Sequence, residues 1–188
     1  MPAFKNTPYT LAVHDIMHRP GLLREHHISI PAPEQLGDGI VSVKEGTNVE
    51  LEVRLEGLHD GILVSTEVDT VATGQCVRCL IDIELPVQVE FQELFAYSFD
   101  EAFDYTVHDD HVDLEPVVRD AVVLSLPFQP VCRPDCPGLD PETGERLADD
   151  PDRKPREVLD PRWSALQGFQ AAASEDEGAG NSADREKR

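Results

Sequence analysis

The sequence predicts an α+β domain, an antiparallel β meander packed by one main helix, and three observations predict it. Apolar and polar residues alternate strictly through the middle of the chain, one helical repeat follows, and all four cysteines fall in two close pairs. With 188 residues and 40% hydrophobic composition, the chain can bury one real core. Composition divides it into an N-terminal arm (1–20), a domain (21–147), a linker with a short Trp-containing helix (148–170) and a tail (171–188).

The elements follow in order. Residues 27–31 and 39–43 are each short enough and apolar enough for a strand. From Val49 to Leu55 the apolar residues take one face, and Glu50, Glu52, Arg54 and Glu56 take the other. His59-Asp60-Gly61 supplies a turn whose Asp-Gly pair tolerates positive φ, and Ile62, Val64, Thr66 and Val68 resume the alternation as a hairpin. A third strand spans 81–91, with Pro86 demanding an edge or a bulge because it has no N–H for the ladder. Phe99 to Glu115 carries seven acids and neither Lys nor Arg, yet lacks the ligand spacing of an EF-hand, so a solvated loop is expected there. His108 and His111 read as exposed residues of that loop. Asp113 then caps a helix with Pro116 in its first turn, running to Leu126 and stopped by Pro127. Because Val122-Val123-Leu124 makes it apolar nearly all round, it is expected to lie across the sheet as the main core helix. Past Leu147 a linker leads to Asp160-Pro161-Arg162-Trp163, the start of a short helix that places Trp163 and Leu166 on one side. The final run of small and charged residues is expected to be disordered.

The chemistry sits in the cysteines. Cys76-Val77-Arg78-Cys79 and Cys132-Arg133-Pro134-Asp135-Cys136 each place two thiolates within reach of one tetrahedral Zn²⁺, and together they offer a four-thiolate zinc knuckle. About fifty residues separate the pairs, so tertiary structure has to unite them. A C-x-x-C redox pair, disulfides and four unliganded thiols are the competing readings. No apolar run is long enough for a signal-peptide core or a membrane span, which points to a cytoplasmic protein with reduced thiols and no membrane.

The charge narrows the partners. Thirty-seven Asp and Glu against 16 Lys and Arg give a formal charge of −21, which opposes general RNA binding and suits a basic protein, although solubility alone also explains it. No phosphate-cradling glycine loop, nucleophile elbow or His-rich zinc motif is present, so an enzyme is not expected.

Several motifs converge in order: Cys76 to Leu80, Phe91-Gln92-Glu93-Leu94-Phe95, Leu126-Pro127-Phe128, Cys132 to Leu139 and Asp160 to Trp163. Over roughly residues 20–170 they resemble the YceD-like family, whose members are described as large-subunit ribosomal RNA accumulation proteins. The resemblance implies a ribosome biogenesis factor that supports accumulation of large-subunit (23S) ribosomal RNA. Its expected partner is a basic ribosomal protein of the large subunit or a pre-ribosomal particle, with ribosomal RNA contacted directly or indirectly. Expected contacts with that partner are the acidic residues Asp100, Glu101, Asp104, Asp109 and Asp110, together with Asp135 and Trp163. The alternative is a zinc-knuckle protein that touches RNA through Arg78 and Arg133. Many relatives continue the second segment as G-L-C-x-x-C-G, where this chain has Asp140 and Thr143.

Overall fold

The computed structural model describes residues 7–98, 104–149 and 162. Its chain forms two compact units, residues 1–138 and 139–188.

The first unit is built on a mixed, mainly antiparallel sheet. Strands β1 (Thr10–Ala12), β2 (Leu23–Pro31), β3 (Val41–Ser42), β4 (Asn48–Gly57), β5 (Gly61–Gln75), β6 (Asp82–Ala96), β7 (Tyr105–Thr106) and β8 (His111–Asp113) precede one helix, α1 (Glu115–Ser125). The main sheet runs β2-β4-β5-β6-β7, with β3 paired to the far end of β5, while β1 and β8 form a separate ribbon. All its pairings are antiparallel except β6 with β7. The expected meander and main helix are therefore present among the described residues. Alternation decides the faces: Val49, Leu51, Val53 and Leu55 are buried, and the Glu and Arg residues between them reach solvent.

Strands β5 and β6 outrun the expected 62–68 and 81–91. Thr70 and Ala72 keep facing the core, so nothing in the side chains ends the ladder before the first cysteine. Pro86 pairs with Val71 where, among the described residues, β6 has no strand on its other side, as an edge position requires. At Gly61 the reason for glycine differs from the expected one. Its φ is not positive, and an added Cβ would lie 2.3 Å from the Phe95 carbonyl oxygen. Close approach of β6 selects the glycine.

The acidic stretch is more ordered than a solvated loop where it is described. His108 and His111 bridge across Asp109 (φ 48°) and Asp110 (φ 62°), a two-residue hairpin turn that needs left-handed backbone at both centres. His111 is thus a strand residue, and its strand pairs with β1, which brings Tyr9, Val13 and Ile16 into the core.

The helix departs most from expectation. Val117, Val118 and Val122 are buried, but Val123 is 37% and Leu124 84% exposed. One stripe meets the core and the other meets water, so α1 is a surface helix. Its cap residue is Leu114, and Asp113 acts one residue earlier, its Oδ1 accepting the Glu115 N–H at 3.1 Å. Arg119 pairs with Glu34 and Glu115 on the exposed side. The Trp163 helix and the tail lie outside the described residues.

Candidate metal centre

The first pair of cysteines sits in the turn between β5 and β6. The Cys76 N–H donates to the Ile81 carbonyl and the Leu80 N–H to the Cys76 carbonyl, both at 2.9 Å. Leu80 closes the turn with φ 57°, a left-handed conformation that strains a side chain branched beyond Cβ. This folding leaves Cys76 and Cys79 buried and on one side of the turn.

The second pair follows the helix exit. Pro130 accepts the Val77 N–H at 2.9 Å, which fixes the segment beside the first turn. Cys136 N–H donates to the Arg133 carbonyl at 3.1 Å. Gly138 has φ 82°, and an added Cβ there would approach the Arg78 carbonyl to 3.2 Å. Arg78 closes the arrangement by donating through one guanidinium nitrogen to the carbonyls of Pro134 (3.1 Å) and Cys136 (3.2 Å).

The four sulfurs converge. Cys76 and Cys136 Sγ are 3.9 Å apart, Cys79 and Cys132 Sγ 3.7 Å, and all four lie within 4.8 Å of one another. A tetrahedral ZnS₄ site with bonds of about 2.3 Å has S···S edges of about 3.8 Å, so the donor set fits this ion in number, type and size. No disulfide joins them.

Their electrostatics point the same way. Burial opposes the Cys76 thiolate, but the backbone N–H groups of Cys132, Cys79 and Arg78 outweigh it and bring its pKa to about 6. At Cys132, loss of solvation and then the neighbouring sulfurs push the pKa up to about 12, although part of this residue reaches water. At Cys79 the Ile81 N–H favours the thiolate, yet burial and the sulfurs of Cys76 and Cys136 together raise it. Once one sulfur ionises, its neighbours resist, and a divalent cation at the centre removes that repulsion.

The remaining candidate residues are scattered. Arg78 is committed to two carbonyls, and Arg133 pairs with Asp135 at 3.4 Å on the exposed rim of the second turn. Asp104, Asp109 and Asp110 are exposed around β7 and the β7–β8 turn. Asp100, Glu101 and Trp163 lie outside the described residues.

In the second unit, Asp140 and Thr143 stand where the family resemblance implies further cysteines, and the backbone of their turn repeats the first knuckle bond for bond. Asp140 N–H donates to the Glu145 carbonyl and Gly144 N–H to the Asp140 carbonyl, both at 2.8 Å, with Gly144 at φ 72° in the role of Leu80. Asp140 Oδ1 accepts the N–H groups of Glu142 (2.8 Å) and Thr143 (3.1 Å). The sequence marks Asp140 and Thr143 as standing in for cysteines, and D-x-x-T-G, with the spacing of C-x-x-C-L, also announces the turn, which was not expected.

A family model described as "Large ribosomal RNA subunit accumulation protein YceD" matches residues 64–170. The chain is 40% identical over 168 residues to uncharacterized protein Rv2926c of Mycobacterium tuberculosis, covering 85% of this chain and 80% of that one. It is 33% identical over 168 residues to uncharacterized protein ML1660 of Mycobacterium leprae, covering 85% and 76%. With uncharacterized protein YlbN of Bacillus subtilis the identity is 29% over 126 residues, covering 61% and 72%. No solved structure matches.

Proposed function

This chain belongs to the family of large ribosomal RNA subunit accumulation proteins YceD, and from that premise we propose that it is a non-enzymatic ribosome biogenesis factor acting in the cytoplasm on a basic protein of the large subunit or its precursor particle. Cys76, Cys79, Cys132 and Cys136 hold one Zn²⁺ as a structural clamp between the β5–β6 turn and the helix exit. Four protein thiolates leave no open position for a substrate or water, which suits structure and not catalysis. Among the described residues no helix is long and apolar enough to cross a membrane.

The observation that carries the choice of partner is the charge. The chain is −21 overall, and its two knuckle arginines are spent on the backbone and on Asp135. Phosphate binding needs free cations, so direct RNA contact through Arg78 and Arg133 is the weaker reading. The acidic residues Asp100, Glu101, Asp104, Asp109 and Asp110 suit a cationic protein, and Trp163 offers it an aromatic anchor.

The test is titration of the purified full chain against purified basic large-subunit ribosomal proteins and against purified large-subunit ribosomal RNA, each at two salt concentrations. Binding to a protein that weakens with salt supports the proposal. Tight RNA binding abolished by Arg133→Ala, with no protein bound, overturns it.

A further inference from the structure

The register of the main sheet assembles a charge pattern that no single strand displays. On the face opposite the core, Glu52 of β4, Glu67 of β5 and Glu90 of β6 stand directly across from one another, and Glu50 faces Asp69 in the adjacent row. Like charges directly opposite destabilise a sheet, and three in line do so twice. Arg54 is the one Lys or Arg that β2, β4, β5 and β6 turn to this side. A shallow hollow of about 920 Å³ spans all four strands here, lined by Glu25, His27, Glu52, Arg54, Glu67 and Glu90. Apolar side chains bound the acidic rows at either end, Leu23 at 38% and Val71 at 42% exposure.

We propose that this acidic sheet face is a docking surface for a lysine- and arginine-rich protein segment, lying in the hollow with its cations on the Glu52–Glu67–Glu90 row and apolar residues on the two rims. The inference rests on the reading that the partner is a cationic protein, and adds where it binds. Charge complementarity argues for this occupant: RNA is repelled by the same rows. A metal ion is a poor fit, because the one group of side chains that converges on a metal-sized point among the described residues is the cysteine cluster. Leu23 and Val71 at the two rims offer such a segment apolar contact.

The probe is a synthetic twelve-residue peptide of Lys and Arg with Leu at both ends, titrated into the full chain at low and high salt. The face variant carries Glu52→Gln, Glu67→Gln and Glu90→Gln, and the loop variant carries Asp104→Asn, Asp109→Asn and Asp110→Asn. The face variant is expected to lose about tenfold or more in affinity at low salt and to melt about 2–4 °C higher as repulsion is relieved, so weaker binding cannot be ascribed to unfolding. The loop variant, whose acids also face a cationic partner but lie outside the hollow, is expected to lose less, about two- to threefold. If instead the loop variant loses binding and the face variant does not, the sheet face is wrong and the cationic partner stands. Failure of the unaltered chain to bind the peptide at low salt overturns both, as does binding of ribosomal RNA in its place. Competition by millimolar Mg²⁺ equal on both variants and independent of ionic strength reads out a cation site and overturns the docking surface.

Discussion

The turn at Cys76 and the turn at Asp140 have the same backbone hydrogen bonds and differ in what fills their centre. In the first, two thiols face a second pair of thiols across less than 5 Å. In the second, one carboxylate oxygen accepts the two N–H groups that point inward. The carboxylate thus meets both inward N–H groups of its own turn. In the cysteine turn four crowded sulfurs oppose one another's ionisation, a repulsion that a cation at their centre would offset. The same fold of five residues thus presents either a thiol to a cluster of four sulfurs or a carboxylate to its own backbone, according to one side chain.

Breaking the cysteine side has the largest expected effect. Cys76→Ser or Cys136→Ser removes a buried ligand, and loss of the metal site is expected to lower stability by about 4 kcal/mol or more, about 10 °C in melting temperature by calorimetry. A chelator should reproduce this in the unaltered chain and add nothing to either variant. Asp140→Ala comes next, because it strands two N–H groups, and a loss of about 1–2 kcal/mol is expected in denaturant titration, with no change in metal content. The smallest effects come from the closing residue of each turn, and they should have opposite signs. Leu80→Gly relieves a left-handed side chain and is expected to stabilise by about 0.5–1 kcal/mol, whereas Gly144→Ala introduces that strain and is expected to destabilise by about 1 kcal/mol. Equal signs at the two positions would show that the turns are not equivalent.

Much of this was legible in residue order, and the exceptions share a physical cause. Alternation from Val49 through Phe91 names the strands and their buried face because period two survives any packing. The convergence of the cysteines was legible as well, since paired spacing is a local property of each turn. What lay beyond reach was set by neighbours distant in sequence. Helical spacing marks Val123 and Leu124 as apolar, but which stripe meets the sheet depends on where β6 lies, and they fall on the wet side. Gly61 was explained by turn conformation when the approach of Phe95 decides it. Arg78 looked like a free cation because the carbonyls of Pro134 and Cys136 that hold it lie across the fold. The line Glu52, Glu67, Glu90 emerges only from register, which no strand specifies alone.

The comparison rests on the metal, and counting it is the most direct test. Native mass spectrometry of the full chain, purified without chelator, should find one Zn²⁺ per chain, unchanged in Asp140→Ala and absent in Cys76→Ser. A metal-free chain that melts at the same temperature with and without added zinc would contradict the account.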